Sequence, residues 1–277
     1  MTNSAKATIL GCGYVGQAVA RRWRDQGLAV TATTTTPSRV SLLEPLAQQV
    51  ALIKGSDRPA LASLLQDQDL LLVSVGAPRA DAYRETYLET AAALAAVFPD
   101  TSITQVIYTG SYAVYGDRQG NWVTEADGVA PANEKGEILV KTEQTLLGLG
   151  TANRAACVLR LGGIYGPGRE LVKIFGRAAG TTRPGAGEDA SNWIHLDDIV
   201  AAIDFARQQR LTGLYNLVQD EPLTTKALLH HVMQTHNLDP VSWNADEPSD
   251  RPYNARVSNQ KLKQAGYAFI HPTFPFQ

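Results

Sequence analysis

Apolar residues along this chain fall into short runs, and stretches with apolar positions at helical spacing separate them. The runs at residues 7–10, 29–33, 50–54, 70–74, 105–109 and 156–161 have strand length and few polar interruptions. Between them, residues 17–26, 41–48, 61–65, 83–98 and 136–149 read as helices, with Gly27 and Pro99 as stop signals. Strands that alternate with helices require a parallel sheet covered on both faces, joined by right-handed crossovers.

The rhythm loosens after Gly162. Residues 163–187 hold seven glycines and two prolines and read as loop. A helix at 199–208, a strand at 213–218, a helix at 224–236 opened by a threonine cap and a short helix at 258–264 follow. The expected division is a dinucleotide-binding core over 1–162 and a smaller substrate lobe over 163–277, with 199–218 returning to the core.

The first strand runs straight into Gly11-Cys12-Gly13-Tyr14-Val15-Gly16. In a strand–turn–helix, Gly11 permits the tight turn, Gly13 lets backbone approach a pyrophosphate, and Gly16 lets the helix pack on the sheet. The helix N-terminus then offers unpaired N–H groups and a positive dipole end. The fold class is therefore α/β, a Rossmann-type doubly wound parallel sheet with a smaller interwoven C-terminal lobe. Its ligand is expected outside the C-terminal ends of the strands.

Composition narrows the function classes. Hydrophobic residues make up 44% and charged residues 19% of 277, as in an ordinary globular protein. A formal charge of -2 gives no electrostatic case for nucleic acid. Cys12 and Cys157 are too few for a zinc centre or a disulfide framework. No run suggests a membrane span or signal peptide, so a cytoplasmic protein is expected. His195 beside Asp197 and Asp198 lacks a third convergent ligand, and His230 and His231 are adjacent on a helix, so no metal site is expected.

Four further segments bear on chemistry. They are Ile107-Tyr108-Thr109-Gly110-Ser111-Tyr112-Ala113-Val114-Tyr115-Gly116, Leu159-Arg160-Leu161-Gly162-Gly163-Ile164-Tyr165-Gly166-Pro167-Gly168-Arg169, Asn192-Trp193-Ile194-His195-Leu196-Asp197-Asp198-Ile199 and Tyr215-Asn216-Leu217. In this order they resemble the extended short-chain dehydrogenases/reductases, the group of sugar-nucleotide epimerases and dehydratases. The glycine spacing of the turn resembles the atypical members. The resemblance implies a nicotinamide cofactor and a catalytic serine, tyrosine and lysine, the last two separated by three residues. Ser111 matches the serine. Glu143 matches a glutamate that follows the lysine, and that register puts Lys135 at the tyrosine position and Leu139 at the lysine position. The dyad is absent. Ser111, Lys135 and Tyr115 remain as catalytic candidates, with Lys135 able to act as an acid if burial depresses its pKa.

Cofactor choice is read at the end of the second strand, where a carboxylate normally holds the ribose 2′-hydroxyl. Here the chain runs Thr31-Ala32-Thr33-Thr34-Thr35-Thr36-Pro37-Ser38-Arg39, without one. Hydroxyls such as Thr34 with the Arg39 guanidinium suit a 2′-phosphate, so NADP is expected ahead of NAD. The cofactor-site candidates are Gly11, Gly13, Tyr14, Val15, Gly16, Thr34, Arg39, Ser74, Val75 and Gly76. Residues 163–187 and 246–256 are expected specificity loops, with Arg169, Arg177, Arg183, Arg251 and Arg256 available to a phosphorylated or sugar-derived substrate. Two function classes follow: an oxidoreductase or epimerase acting on a small carbonyl or sugar-derived compound, and a non-catalytic nucleotide sensor.

Overall fold

The structure, a computed structural model, describes residues 4–274. The first half contains β1 (Lys6–Leu10), α1 (Tyr14–Asp25), β2 (Ala29–Thr34), α2 (Val40–Leu43), β3 (Gln49–Leu52), α3 (Arg58–Leu65), β4 (Leu70–Val73), α4 (Thr90–Val97), β5 (Gln105–Ser111), β6 (Asp117–Val123) and α5 (Glu134–Leu147). The second half contains β7 (Ala155–Leu161), β8 (Gly163–Tyr165), α6 (Leu171–Phe175), β9 (Thr182–Pro184), β10 (Ala190–Ser191), β11 (Trp193–His195), α7 (Leu196–Gln208), β12 (Gly213–Leu217), β13 (Leu223–Thr224), α8 (Thr225–Thr235), β14 (Ser242–Asn244), β15 (Asn254–Val257) and α9 (Gln260–Gln264).

The chain forms two compact units. The first takes in the chain up to Gly110 together with Glu137–Leu159 and Val200–Leu214. It is organised on a seven-stranded parallel sheet in the order β12-β7-β5-β4-β1-β2-β3. The chain winds outward from β1 through β2 to β3, then restarts at β4, so β1 and β4 flank the switch point where such sheets place ligands. Register aligns Ile9 with Leu72 and Leu10 with Val73, so both strands end at the same level. Every residue of β4 is buried, and β1 is buried from Ala7 onward. That double-sided burial is why these strands read as unbroken apolar runs. Leu61, Leu65, Leu71, Leu94, Phe98 and Val106 belong to one core cluster, each such side chain contributing about 1.5–3 kcal/mol on burial. Asp204 on α7 ties that helix to α1 by accepting from Arg22 (3.2 Å) and Gln26 (2.6 Å), and also from Arg207 (2.8 Å).

The second unit takes in Ser111–Gly136, Arg160–Ile199 and the chain from Tyr215 on. It is built from short pairs: β8 with β11, β9 with β14 and β6 with β15 in parallel, and β10 with β13 antiparallel. One of its cores joins Tyr165 and Leu171 to Leu228 and Val232 of α8, and another joins Tyr112 and Tyr115 to Val123, Ala255 and Val257.

Three local expectations change. The helix expected at 41–48 is only one α turn, Val40–Leu43, because Pro45 has no N–H to continue it. The helix expected over 83–98 contains a widened turn at Glu85–Glu89, where Thr90 Oγ1 donates to the Glu85 carbonyl five residues back. The β6–β15 pair was not expected. Its β6 strand is mostly polar and exposed and is interrupted by Gln119 at φ 54° and Gly120 at φ 73°, which hides its alternation.

Candidate functional site

The glycine turn leaves β1 at Gly11, which has φ 90°. A Cβ there would stand 2.7 Å from the Ser74 carbonyl oxygen, so only glycine passes. The turn is tied to β2: Gly11 N–H donates to Thr33 Oγ1 (2.9 Å) and Cys12 N–H to the Thr33 carbonyl (3.0 Å). Gly16 sits in the first turns of α1, where a Cβ would come within 2.7 Å of the Gly11 carbonyl oxygen. Gly13 differs. It caps α1 without any side-chain hydrogen bond, and a Cβ on it would meet nothing within 4 Å. The turn therefore presents helix-end N–H groups with open space in front of them, which fits a pyrophosphate. Tyr14 is half-buried and Val15 buried behind the turn.

The neighbouring loop follows β4. Ser74 N–H donates to the Leu10 carbonyl (2.8 Å), Thr109 Oγ1 donates to Ser74 Oγ (3.2 Å), and Val75 packs on the core. Gly76 is exposed, with no neighbour where a Cβ would stand. The structure thus brings Gly11, Gly13, Gly16, Ser74 and Val75 together at the switch point. On the β2 side, Thr34 is buried and its Oγ1 accepts the Thr36 N–H (3.1 Å). Arg39 folds back: its Nη2 donates to the Cys12 carbonyl (3.1 Å), and its Nε is buried without a partner. Burial pushes the Cys12 thiol up to about 12 against the opposing pull of Arg39.

The catalytic candidates fall in the second unit. Ser111 is half-buried, and its Oγ accepts the Ala113 N–H (3.2 Å). Tyr115 is fully buried. Its hydroxyl donates to Asn216 Oδ1 (2.9 Å), its ring lies 4.7 Å from the Arg160 guanidinium carbon, and burial raises its pKa. Tyr112 is also buried, its hydroxyl accepts from Arg251 (3.4 Å), and burial pushes it up to about 12. Lys135 is exposed at the start of α5, and Leu139, one helical turn on, is buried. Of the candidate arginines, Arg251 is spent on Thr225 Oγ1 (2.6 Å), and Arg183 stands 3.9 Å from Asp250. Arg256 lines a polar cavity of about 540 Å³ with Gln119, Asn121, Glu188 and Asp189.

Sequence reasoning missed His271. It meets Asp197 (3.1 Å), and its ring lies tilted against that of His195 at a centroid distance of 3.9 Å. Burial, and then the nearby His271, lower the His195 pKa. A separation of 76 residues leaves no local signal for this convergence. Among the described residues no helix is long and apolar enough to cross a membrane.

The comparisons with known proteins agree with this architecture. The chain is 33% identical to protein YeeZ of Escherichia coli (strain K12) over 220 residues, 76% of this chain and 77% of that protein. Its fold matches MoeE5, solved in complex with UDP-glucose and NAD, with TM-score 0.77 at 16% identity, covering 99% and 95% of the two chains. It also matches DesIV, the dTDP-glucose 4,6-dehydratase of Streptomyces venezuelae, solved with NAD and TYD (TM-score 0.78, 17% identity, coverage 95% and 91%).

The expectation of NADP is corrected by MoeE5 and DesIV, whose solved complexes hold NAD. The physical reason lies in groups already engaged. The Thr34 hydroxyl closes its own turn, and one Arg39 amino group is drawn back onto the Cys12 carbonyl beside the glycine turn. The NAD dependent epimerase/dehydratase family matches residues 7–217, and the chain belongs to it.

Proposed function

We propose that this chain is an NAD-dependent oxidoreductase or epimerase that acts on a nucleotide-linked sugar and handles the substrate proton without a tyrosine–lysine dyad. The observation that carries the reading is Gly13: an uncapped helix N-terminus with open space in front, at the switch point of the sheet. Gly11, Gly13, Tyr14, Val15 and Gly16 would hold the pyrophosphate, Thr34 and Arg39 would border the adenosine, and Ser74, Val75 and Gly76 would border the adjoining ribose. When bound, NAD supplies two-electron redox chemistry at its nicotinamide ring. The sugar-nucleotide class is supported by MoeE5, solved with UDP-glucose, and by DesIV, a dTDP-glucose dehydratase.

The chain's own groups then divide the work. Ser111 Oγ orients the reacting substrate oxygen. Lys135 Nζ, or a water at the site, gives that oxygen its proton on reduction and removes it on oxidation. Tyr115 is a packing residue, because its hydroxyl is committed to Asn216 and burial holds it protonated. Turnover with NAD across a panel of UDP- and dTDP-sugars tests this. Ser111→Ala should lose about 10–100-fold, and the rate of Lys135→Met decides between the lysine and water as the proton carrier. Tyr115→Phe should keep most of the rate. Loss of rate only in Tyr115→Phe would overturn the assignment.

A second reading, a nucleotide sensor without turnover, draws on Leu139, which puts a buried apolar side chain where a cation would normally act. Tight NAD binding with no turnover of any sugar nucleotide would select it.

A further inference from the structure

We propose that His195, Asp197 and His271 bind one divalent transition-metal ion, with Zn²⁺ as the reference occupant. Their ligand atoms, two imidazole nitrogens and a carboxylate oxygen, lie within 4.8 Å of one another. Asp197 Oδ2 is the shared corner, 3.1 Å from His271 Nε2 and 3.4 Å from His195 Nδ1. A tetrahedral ion with bonds of about 2.0–2.1 Å holds neighbouring ligand atoms roughly 3.3 Å apart, so both edges have metal-site length.

Hydrogen bonding accounts for only one of those edges. Asp197 N–H donates to His195 Nδ1 at 3.2 Å, so that nitrogen presents a lone pair. It then faces Asp197 Oδ2 acceptor to acceptor. A cation placed between them takes both lone pairs, in place of the long backbone contact.

The third ligand is held in position by the fold. The Asp198 carboxylate, fully buried, accepts the N–H groups of Ile270 (2.7 Å) and His271 (2.9 Å) and the Tyr267 hydroxyl (3.0 Å). On the other side, the His271 carbonyl accepts from Gln219 (3.2 Å), and the Pro272 carbonyl accepts the Asp220 N–H (2.9 Å). The three ligands are therefore assembled on folding, and a binding ion has little ordering left to drive. The Asp197 side chain is 53% exposed, which gives an ion its entry path and leaves a fourth position for water. Two imidazoles and one carboxylate suit Zn²⁺ or Co²⁺. Mg²⁺ and Ca²⁺ call for six or more oxygens, so they should not compete.

The test uses the full chain, stripped with chelator and titrated with Co²⁺ and then Zn²⁺. We expect one Co²⁺ per chain with the visible absorption of a four-coordinate ion, displaced by Zn²⁺ and not by Mg²⁺, and a higher melting temperature with Zn²⁺. His271→Ala should weaken binding at least tenfold, and His231→Ala should leave it unchanged. Asp197→Ala, altered at the most exposed ligand, repeats the measurement should His271→Ala not fold. Absence of stoichiometric binding, equal affinity in the ligand variants, or loss in His231→Ala would overturn the proposal.

Discussion

Replacing Gly13 by alanine separates binding from folding, because the three glycines of the turn are needed for different reasons. At Gly11 and Gly16 a Cβ would collide with backbone at 2.7 Å, so alanine there must displace the turn itself. Such overpacking costs about 1–3 kcal/mol, and any loss of NAD affinity would be entangled with it. Gly13 has no such collision, and its φ is negative, -82°. Two small effects oppose each other in Gly13→Ala. Alanine is a poorer N-cap by roughly 0.5–1 kcal/mol, and it restricts the unfolded chain, which stabilises by about 0.4–1 kcal/mol. The melting temperature should therefore move by no more than about 2–4 °C. NAD affinity should fall at least tenfold, about 1.4 kcal/mol, because the new methyl occupies the space through which phosphate oxygens reach the first N–H groups of α1. Calorimetric titration with NAD beside a thermal melt measures both. Wild-type affinity in a folded Gly13→Ala variant would refute the pyrophosphate assignment.

Further outcomes follow from buried groups of the first unit. Burial alone would raise the Asp204 carboxyl, but hydrogen bonds from Gln26 and Arg207 and the Arg207 charge bring it below its ordinary value. Its stabilisation is then complete above the unfolded value of about 3.9 and is lost as pH falls through the lower folded value. Asp204→Asn should melt lower than wild type near neutral pH, and the gap should close in acid; an unchanged gap would refute the role. Cys12, 3% exposed with its thiol near 12, should resist iodoacetamide at pH 8 until the chain is unfolded in urea. Rapid labelling of the native protein at Cys12 would contradict its burial.

The parts of the fold legible in sequence were those whose cause is local. Residues 70–74 read as a buried strand because β4 is covered on both faces, and each of its residues had to be apolar. Gly11 and Gly16 were legible because backbone approaches only a few ångströms wide permit no other residue. Arg39 was misread for the opposite reason. A guanidinium two residues past a proline is compatible with a 2′-phosphate, and nothing local says that its side chain turns back onto Cys12. The β6–β15 strands escaped because their pairing joins segments 137 residues apart in a register that shifts between Asn254 and Arg256.

The same reasoning explains why the candidate proton groups divide as they do. The tyrosine of a Val-Tyr-Gly turn invites a catalytic role on sequence grounds, since a phenol is a good acid once a cation lowers its pKa. Tyr115 does have a cation nearby, the Arg160 guanidinium, but burial outweighs it and the net shift is upward. Its proton is directed to Asn216 Oδ1, whose Nδ2 in turn donates to the Ser258 carbonyl, so the whole chain of donors ends in backbone. A proton held in that way stabilises the unit and is a poor one to release. Lys135, in the first turn of α5, has the complementary property that solvent reaches it. The proposal that Tyr115 is a packing residue is therefore tested by Tyr115→Phe, which should turn over at close to the wild-type rate; loss of rate in that variant alone would return the proton to the phenol.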